Sequence, residues 1–257
     1  MQKASFKIKG LTYSNEVCPI HHVKKVSVGN LKPICRLCEQ EKIEQEKQIQ
    51  VKQFAKDQVK GFIKCSLVDR KGMFECTFDS FEAPRGTERY NAKVVAGHTA
   101  VAYLNHPDKK FNTVFFGKAG TGKTHLAMAI LNFVNKNAMQ KCLLLSVPRL
   151  LDKNRQWFKD PTSTVWSEGY TIEQVRRADL VVVDDLGAET ANGNASNFVQ
   201  SVIFNIYEAN QRIITTTNLN LQRLSQTYDE RLLSRVEEHA EGHMYDFSNL
   251  KDLRVSS

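Results

Sequence analysis

The sequence has no apolar run that approaches the ~20 residues of a membrane-spanning helix. Its first residues are mostly polar and lack the apolar segment of a secretory signal. We therefore expect a protein with no membrane partner that works in the cytoplasm, where most cysteines stay reduced.

Composition is otherwise ordinary, but charge is unevenly spread. Of the 257 residues, 41% are hydrophobic and 25% are charged, which is typical of one or two globular domains. The net charge is +8, and residues 1–60 hold 12 basic and 6 acidic side chains, hence +6. A basic segment favours an acidic partner, either nucleic acid or an acidic protein face, although plain solubility explains the charge equally well.

Three of the six cysteines lie within the first 38 residues, beside two histidines. Cys18 and His21 form one pair with two residues between them, and Cys35 and Cys38 form another. Two such pairs can build a tetrahedral Zn²⁺ site, with His22 as the alternative to His21. A segment of about 40 residues buries too little apolar surface to fold alone, so the metal would supply the folding energy.

Residues 39–60 are rich in Glu, Lys and Gln and contain no glycine or proline. This composition favours a helix, and its apolar positions are too sparse for a long coiled coil. We therefore predict three parts: a zinc-binding module at 1–40, a solvated helical linker at 41–65 and a globular domain at 66–257.

The globular domain alternates strand-like and helical segments. Short apolar or β-branched runs occur at 113–116, 142–146, 180–183 and 212–217, with helical stretches between them. Such runs are typical of parallel strands that are buried on both faces. The pattern predicts an α/β domain with three layers around a parallel sheet.

A phosphate-binding loop follows the first of these strands and opens a helical stretch. It matches G-x-x-x-x-G-K-[ST] in full, with the residues Gly117, Lys118, Ala119, Gly120, Thr121, Gly122, Lys123 and Thr124. Its amides and the helix start can hold phosphates, Lys123 can reach the β- and γ-phosphates, and Thr124 can bind Mg²⁺. The sequence therefore predicts ATP and Mg²⁺ as cofactors.

Polar residues end two of the later strands. Asp184 and Asp185 follow the apolar run at 180–183, and Asn218 follows the run at 212–217. Asp184 is predicted to hold the Mg²⁺ shell, Asp185 to orient or deprotonate the attacking water, and Asn218 to sense the γ-phosphate. Strands also commonly end in a polar turn, so Asn218 depends on the neighbouring motifs for this interpretation.

Arg231 and Arg235 are four residues apart and share a face of one predicted helix. Either could reach the ATP of a neighbouring subunit and stabilise the charge on the transferring phosphoryl group. On spacing alone, surface arginines paired with Glu230, Glu237 or Glu238 are the favoured interpretation.

Taken together, these residues resemble the AAA+ ATPases that load bacterial replicative helicases, the DnaC/DnaI type, including phage versions. The resemblance rests on the phosphate-binding loop and on four further segments: 77–81 (TFDSF), 180–189 (LVVVDDLGAE), 213–219 (IITTTNL) and 230–236 (ERLLSRV). It covers most of residues 62–257.

The resemblance implies an AAA+ P-loop domain with a truncated lid and a catalytic site with named roles. Asn218 would be sensor 1, and Arg235 would be the arginine finger that acts in trans, with Arg231 as second choice. Arg254 would be sensor 2, with Lys251 as a rival. Because the second acid is Asp185 rather than glutamate, ATP hydrolysis could be slow.

The resemblance also implies partners. These are a replicative helicase hexamer gripped by the N-terminal module, single-stranded DNA, and further copies of the chain through the AAA+ domain. Basic and aromatic side chains suited to DNA occur at Lys153, Arg155, Trp157 and Phe158, although core aromatics of an amphipathic helix fit this pattern as well. Alternative functions are a transposition helper ATPase of the IstB type and a non-catalytic ATP-binding adaptor or inhibitor of helicase loading.

Overall fold

The computed structural model describes residues 11–190 and 193–252. The chain divides into two compact units, and the boundary falls between Asp57 and Gln58. Three elements begin in the first unit, and the last of them continues past the boundary: β1 (Leu11–Val17), β2 (Lys24–Val28) and α1 (Arg36–Phe62).

The first unit is a β-hairpin followed by a helix. Strands β1 and β2 are antiparallel, and a second short pairing joins Val26 to Ile34. Within the described residues 11–57, only Cys18, Val26 and Cys35 are buried apolar side chains. So small a core cannot offset the entropy of ordering the hairpin, which agrees with the expected dependence on a metal.

Helix α1 begins before the predicted linker at 41–65, so that Cys38 lies in its first turn. Its apolar residues Ile43, Ile49, Val51 and Phe54 are all exposed. The charged and amide side chains that surround them keep this helix soluble without a packed face.

The second unit contains the rest of the elements. Two short 3-10 helices, Ile63–Cys65 and Lys71–Glu75, precede its main body. In chain order these elements follow: α2 (Glu88–Asn105), β3 (Thr113–Phe116), α3 (Lys123–Ala138), β4 (Cys142–Ser146), α4 (Val147–Lys159), α5 (Glu168–Arg177), β5 (Leu180–Leu186), α6 (Asn197–Ala209), β6 (Ile213–Thr217), α7 (Leu221–Thr227), α8 (Glu230–Glu237) and β7 (Met244–Asp246).

Strands β3 to β7 form one five-stranded sheet in the order β4-β5-β6-β3-β7, and all neighbours are parallel. The four predicted strands are present, and β7 is an additional strand that the sequence did not reveal. Strand β5 extends to Leu186, so Asp184 and Asp185 belong to the strand rather than following it. Because β6 lies between β3 and β5, the ends of these three strands are neighbours at one edge.

Helices cover both faces of this sheet, as the predicted three-layer architecture requires. Side chains of β5 alternate between two buried clusters: Val181 and Val183 pack in the cluster that contains α6, whereas Leu180 and Val182 pack in the cluster that contains α3. No helix within residues 11–190 and 193–252 has the length and apolarity to cross a membrane.

Candidate nucleotide and metal sites

The phosphate-binding loop forms the turn between β3 and α3. Gly122 has a φ of 96°, in the left-handed region, and α3 begins at the next residue. A Cβ atom on Gly122 would lie 2.5 Å from the Phe81 ring, and one on Gly117 would lie 2.6 Å from the backbone nitrogen of Ser248. Only glycine fits both positions, so the loop turns tightly while packed between Phe81 and the segment after β7.

A cavity of about 510 Å³ opens beside this loop. Eight of the predicted site residues line it: Ala119, Gly120, Gly122, Lys123, Thr124, Asp184, Asp185 and Asn218. Six residues that the sequence did not reveal complete the lining: Asp69, Arg70, Gly72, Met73, Cys76 and His125. The volume falls within the range of about 300–1,000 Å³ that is typical of small-molecule sites.

Lys123 places a buried positive charge at this cavity. The side chain is only 4% exposed, and its Nζ donates to the backbone oxygens of Gly117 at 2.7 Å and Lys118 at 2.6 Å. A third hydrogen bond reaches Oδ1 of Asn218 at 3.0 Å. Because a buried ammonium group is costly without acceptors, these three contacts hold Lys123 in position before any ligand binds.

Asp184 is the most deeply buried acid of the site. It is 1% exposed, and its Oδ1 accepts a 2.7 Å hydrogen bond from the hydroxyl of Thr216. Its Oδ2 has no hydrogen-bond partner within the part of the chain that the structure describes. Burial raises the pKa of this carboxyl to about 6, and the charges of Asp185 and Asp69 act in the same direction.

Asp185 adopts an unusual backbone conformation for a strand residue. Its φ is 56°, and the pairing of β5 with β6 shifts register between Val183 and Leu186. A bulge of this kind turns a side chain away from the direction that the regular pleat would give it. The backbone N–H of Asp185 donates to the Thr216 hydroxyl at 2.9 Å, which anchors the bulge to β6.

Asn218 connects the phosphate-binding loop to the acids. It accepts the hydrogen bond from Lys123, and its Nδ2 lies 3.5 Å from Oδ1 of Asp185. This position follows from the strand order, because Asn218 stands directly after β6, the strand between β3 and β5.

The acids at this edge suit a magnesium ion. Carboxylate oxygens of Asp69, Asp184 and Asp185 lie within 4.8 Å of one another. Mg²⁺ prefers oxygen ligands, and the buried, partnerless Oδ2 of Asp184 is an oxygen that a cation would satisfy. The donor set therefore fits the ion that the sequence predicts.

The segment at 77–81 packs on the start of α3. His125 Nε2 lies 3.0 Å from the backbone oxygen of Thr77 and 3.1 Å from the hydroxyl of Ser80. Phe81 is buried, and the guanidinium of Arg89 stands 4.3 Å from its ring centroid. The segment is thus fixed beside the phosphate-binding loop.

The two arginines that the sequence predicts for catalysis in trans do not line this cavity. Neither Arg231 nor Arg235 is among the described residues that line the cavity. The Arg235 guanidinium pairs with the carboxylates of Glu208 and Glu238, and that of Arg231 stacks on the Phe204 ring at 4.0 Å.

Of the two sensor 2 candidates, Arg254 and Lys251, the structure describes only Lys251. Arg254 lies outside the described residues. Lys251 is described and exposed, and it is not among the residues that line the cavity.

The aromatic residues of α4 are only partly packed. Phe158 is 59% exposed and meets Trp157 and Phe198 edge-on, with ring centroids 5.5 and 5.8 Å away. Arg155 is exposed, and Lys153 is half-buried and bonded to Gln156.

In the first unit, the structure brings together Cys18, His21, Cys35 and Cys38. The His21 Nδ1 atom lies 3.8, 3.7 and 3.3 Å from the sulfurs of Cys18, Cys35 and Cys38, and the sulfurs of Cys18 and Cys38 are 3.6 Å apart. A tetrahedron with Zn–S and Zn–N bonds of about 2.3 and 2.0 Å has edges of about 3.5–3.8 Å, close to these distances.

Groups around the cluster also suit a zinc ion. Nε2 of His21 lies 3.0 Å from a carboxylate oxygen of Glu41, the partner that typically orients a metal-binding imidazole. His22 is exposed and stands outside the cluster.

Comparisons with known proteins identify the family of this chain. The IstB-like ATP binding protein family matches residues 74–240. The replicative helicase loader DnaC of Escherichia coli K12 is 24% identical over 123 residues, which cover 48% of this chain and 49% of DnaC. The chromosomal replication initiator protein DnaA of Caldanaerobacter subterraneus is 28% identical over 163 residues, which cover 63% of this chain and 34% of DnaA. The chain thus spans about half or less of these relatives.

Solved structures show the same fold. A crystal structure of DnaI covers 72% of this chain and 94% of its own, with 21% identity and a TM-score of 0.54. DnaA bound to AMPPCP and single-stranded DNA covers 67% of this chain and 49% of its own, with 20% identity and a TM-score of 0.51. The second unit has the AAA+ P-loop NTPase fold, and the chain belongs to the family of IstB-like ATP binding proteins.

Proposed function

We propose that this protein is an ATP-dependent loader of a replicative DNA helicase onto single-stranded DNA at the initiation of replication. The observation that carries the proposal is a cluster of three cysteines and one histidine in a separate basic unit, ahead of an ATP-binding domain similar to DnaC. A loader needs one part that grips the helicase and another that changes its affinities with the bound nucleotide.

The nucleotide site would bind ATP through the phosphate-binding loop. Lys123 would contact the β- and γ-phosphates, and Thr124 with Asp184 would hold Mg²⁺, which neutralises phosphate charge. Asp185 would orient the attacking water. Since Asn218 contacts both Lys123 and Asp185, it is suited to sensing the γ-phosphate.

The N-terminal unit would be the helicase-binding module. Cys18, His21, Cys35 and Cys38 would hold one Zn²⁺ ion, which would fix the hairpin and the first turn of α1. Exposed apolar side chains on this unit, including Tyr13, Ile20 and Leu31, offer the kind of surface that a protein partner covers.

Single-stranded DNA would be the other ligand. The exposed Phe158 ring on α4 can stack on a base, and Arg155 on the same helix can contact the phosphate backbone.

A pull-down with a replicative helicase hexamer tests this function. The immobilised full chain is expected to retain the helicase, with different amounts in ATP and in no nucleotide, because loaders couple the two binding events. Retention of no helicase in either condition would contradict the proposal.

The family match favours one alternative, a transposition helper ATPase of the IstB type. The match covers residues 74–240 and so does not include the Cys/His cluster. A helper is expected to retain a transposase and no helicase. Helicase retention with tight ATP binding but no turnover would instead indicate a non-catalytic adaptor or inhibitor.

We further propose that Arg235, with Arg231 as second choice, acts on the ATP of a neighbouring copy in the self-assembled state. Arg235 is not among the described residues that line its own cavity, and it lies on the partly exposed face of α8, which supports a role in trans. Arg235→Ala and Lys123→Ala subunits should each be inactive alone. Mixed in equal amounts they should recover up to about a quarter of wild-type ATPase activity, because about a quarter of interfaces then pair intact residues. No recovery at any ratio would contradict this role.

A further inference from the structure

Residues 66–69 extend the sheet beyond its edge strand. The backbone N–H of Leu67 donates to Leu144 at 2.8 Å, that of Ser146 donates to Leu67 at 2.9 Å, and Leu67 pairs with Leu145 in parallel. A further hydrogen bond runs from the Leu144 N–H to the Ser66 hydroxyl at 2.8 Å. This short segment therefore runs in the same direction as β4.

The parallel arrangement brings an unpredicted carboxylate to the nucleotide site. Ser146 at the end of β4 is the register partner of Asp184 on β5, and Asp69 ends the added segment on the other side of β4. Carboxyl ends of parallel strands meet at one edge, so Asp69 comes to the cavity although it lies before residue 74, where the family match begins.

Two contacts fix the Asp69 carboxylate. The Ser146 hydroxyl donates to its Oδ1 at 3.0 Å, and Nε of Arg149 lies 3.3 Å from the same oxygen. Arg149 stands in the first turns of α4, directly after β4. Both partners therefore come from the strand and helix next to Asp184: the Ser146 hydroxyl holds Asp69 in place, and the Arg149 guanidinium neutralises part of its charge.

A second observation indicates a ligand among these acids. Oxygens of Asp69, Asp184 and Asp185 lie within 4.8 Å of one another, and Oδ2 of Asp184, on a side chain that is 1% exposed, has no partner in the described ranges. Mg²⁺ is usually held by only one or two carboxylates together with waters and phosphates, so a third acid can act through the hydrated ion.

We propose that Asp69 is a positioning residue that joins Asp184 and Asp185 in holding the hydrated Mg²⁺ ion of the nucleotide site, an inference that rests on the proposed ATP binding. Arg149 opposes it, because its guanidinium competes with the ion for the Asp69 carboxylate. The metal site would then include a residue from the segment that follows α1, outside the phosphate-binding loop and the strands of the main sheet.

Binding of a fluorescent, non-hydrolysable ATP analogue, titrated with Mg²⁺ and repeated in EDTA, tests the proposal. Asp69→Asn should raise the Mg²⁺ concentration needed for half-maximal binding about tenfold, within the 10–100-fold typical of lost outer-shell metal partners, and should not weaken binding in EDTA. Arg149→Gln should shift the Mg²⁺ requirement in the opposite direction. Asp108→Asn, the same change on the exposed segment before β3, should have no effect.

An unaltered Mg²⁺ requirement in Asp69→Asn would overturn the proposal. It would also be overturned if Arg149→Gln raised the Mg²⁺ requirement as Asp69→Asn does, because Asp69 would then act only through Arg149. If Asp69→Asn does not fold, Arg149→Gln decides alone: an unchanged or raised Mg²⁺ requirement would refute the metal role. Failure of the wild-type chain to bind the analogue in both conditions would refute the proposed ATP binding as well, so the two failures are distinguishable.

Discussion

Lys123→Ala is expected to abolish ATP binding. The Lys123 ammonium is buried, and Gly117, Lys118 and Asn218 hold it at the loop where phosphates would lie. Each hydrogen bond to a charged group contributes about 1.5–3 kcal/mol, so losing the contacts to two phosphates should weaken binding at least about 100-fold. Isothermal titration with a non-hydrolysable ATP analogue measures this loss.

Lys136→Ala is the matched control for this variant. Lys136 lies in the last turn of the same helix, α3, and is exposed, so its removal changes net charge equally without touching the cavity. It should bind the analogue with wild-type affinity. Wild-type affinity in Lys123→Ala would show that the phosphates do not bind at this loop.

Cys35→Ser is expected to release about one Zn²⁺ ion per chain and to unfold the hairpin of the first unit. Only three apolar side chains are buried among residues 11–57, and two of them are cysteines of the Cys/His cluster. Structural zinc supplies roughly 10–16 kcal/mol of apparent binding free energy in small modules, far more than this core can supply. Metal analysis of the purified protein, together with protease sensitivity of the first unit, measures both effects.

The same variant should separate the two functions of the chain. ATP binding should persist in Cys35→Ser, because the nucleotide site lies wholly in the second unit, whereas helicase retention should be lost. Cys65→Ser, which alters an exposed cysteine outside the cluster, should keep both zinc and helicase binding. Native protein without zinc would disprove the predicted metal site.

Local sequence patterns predicted much of this structure because their physics is local. The phosphate-binding loop lies within eight consecutive residues, and its three glycines adopt the positive φ angles that the turn needs. The apolar runs of β3 and β4 predicted the observed bounds of both strands, since strands buried on both faces exclude polar residues. The grouping of Cys18, His21, Cys35 and Cys38 likewise follows from two pairs of short spacing.

Features that depend on distant pairing could not be read from the sequence. Asp69 reaches the acids only because Leu67 pairs with β4, and no motif surrounds it. Strand β7 has three residues, too few for a period-2 pattern, and is fixed by pairing with β3. Glu208, the acid that pairs with Arg235, lies on α6, so spacing along α8 could not identify it.

The left-handed backbone conformation at Asp185 implies a compromise between the stability of the fold and the chemistry of the site. A non-glycine residue at a φ of 56° carries conformational strain, of the order of 1–3 kcal/mol for such geometries. A glycine at this position would relieve that strain and stabilise the fold, but it would remove the carboxylate that lies beside Asn218. Selection for thermal stability alone would therefore favour glycine at position 185, whereas selection for the proposed ATP hydrolysis would retain the aspartate.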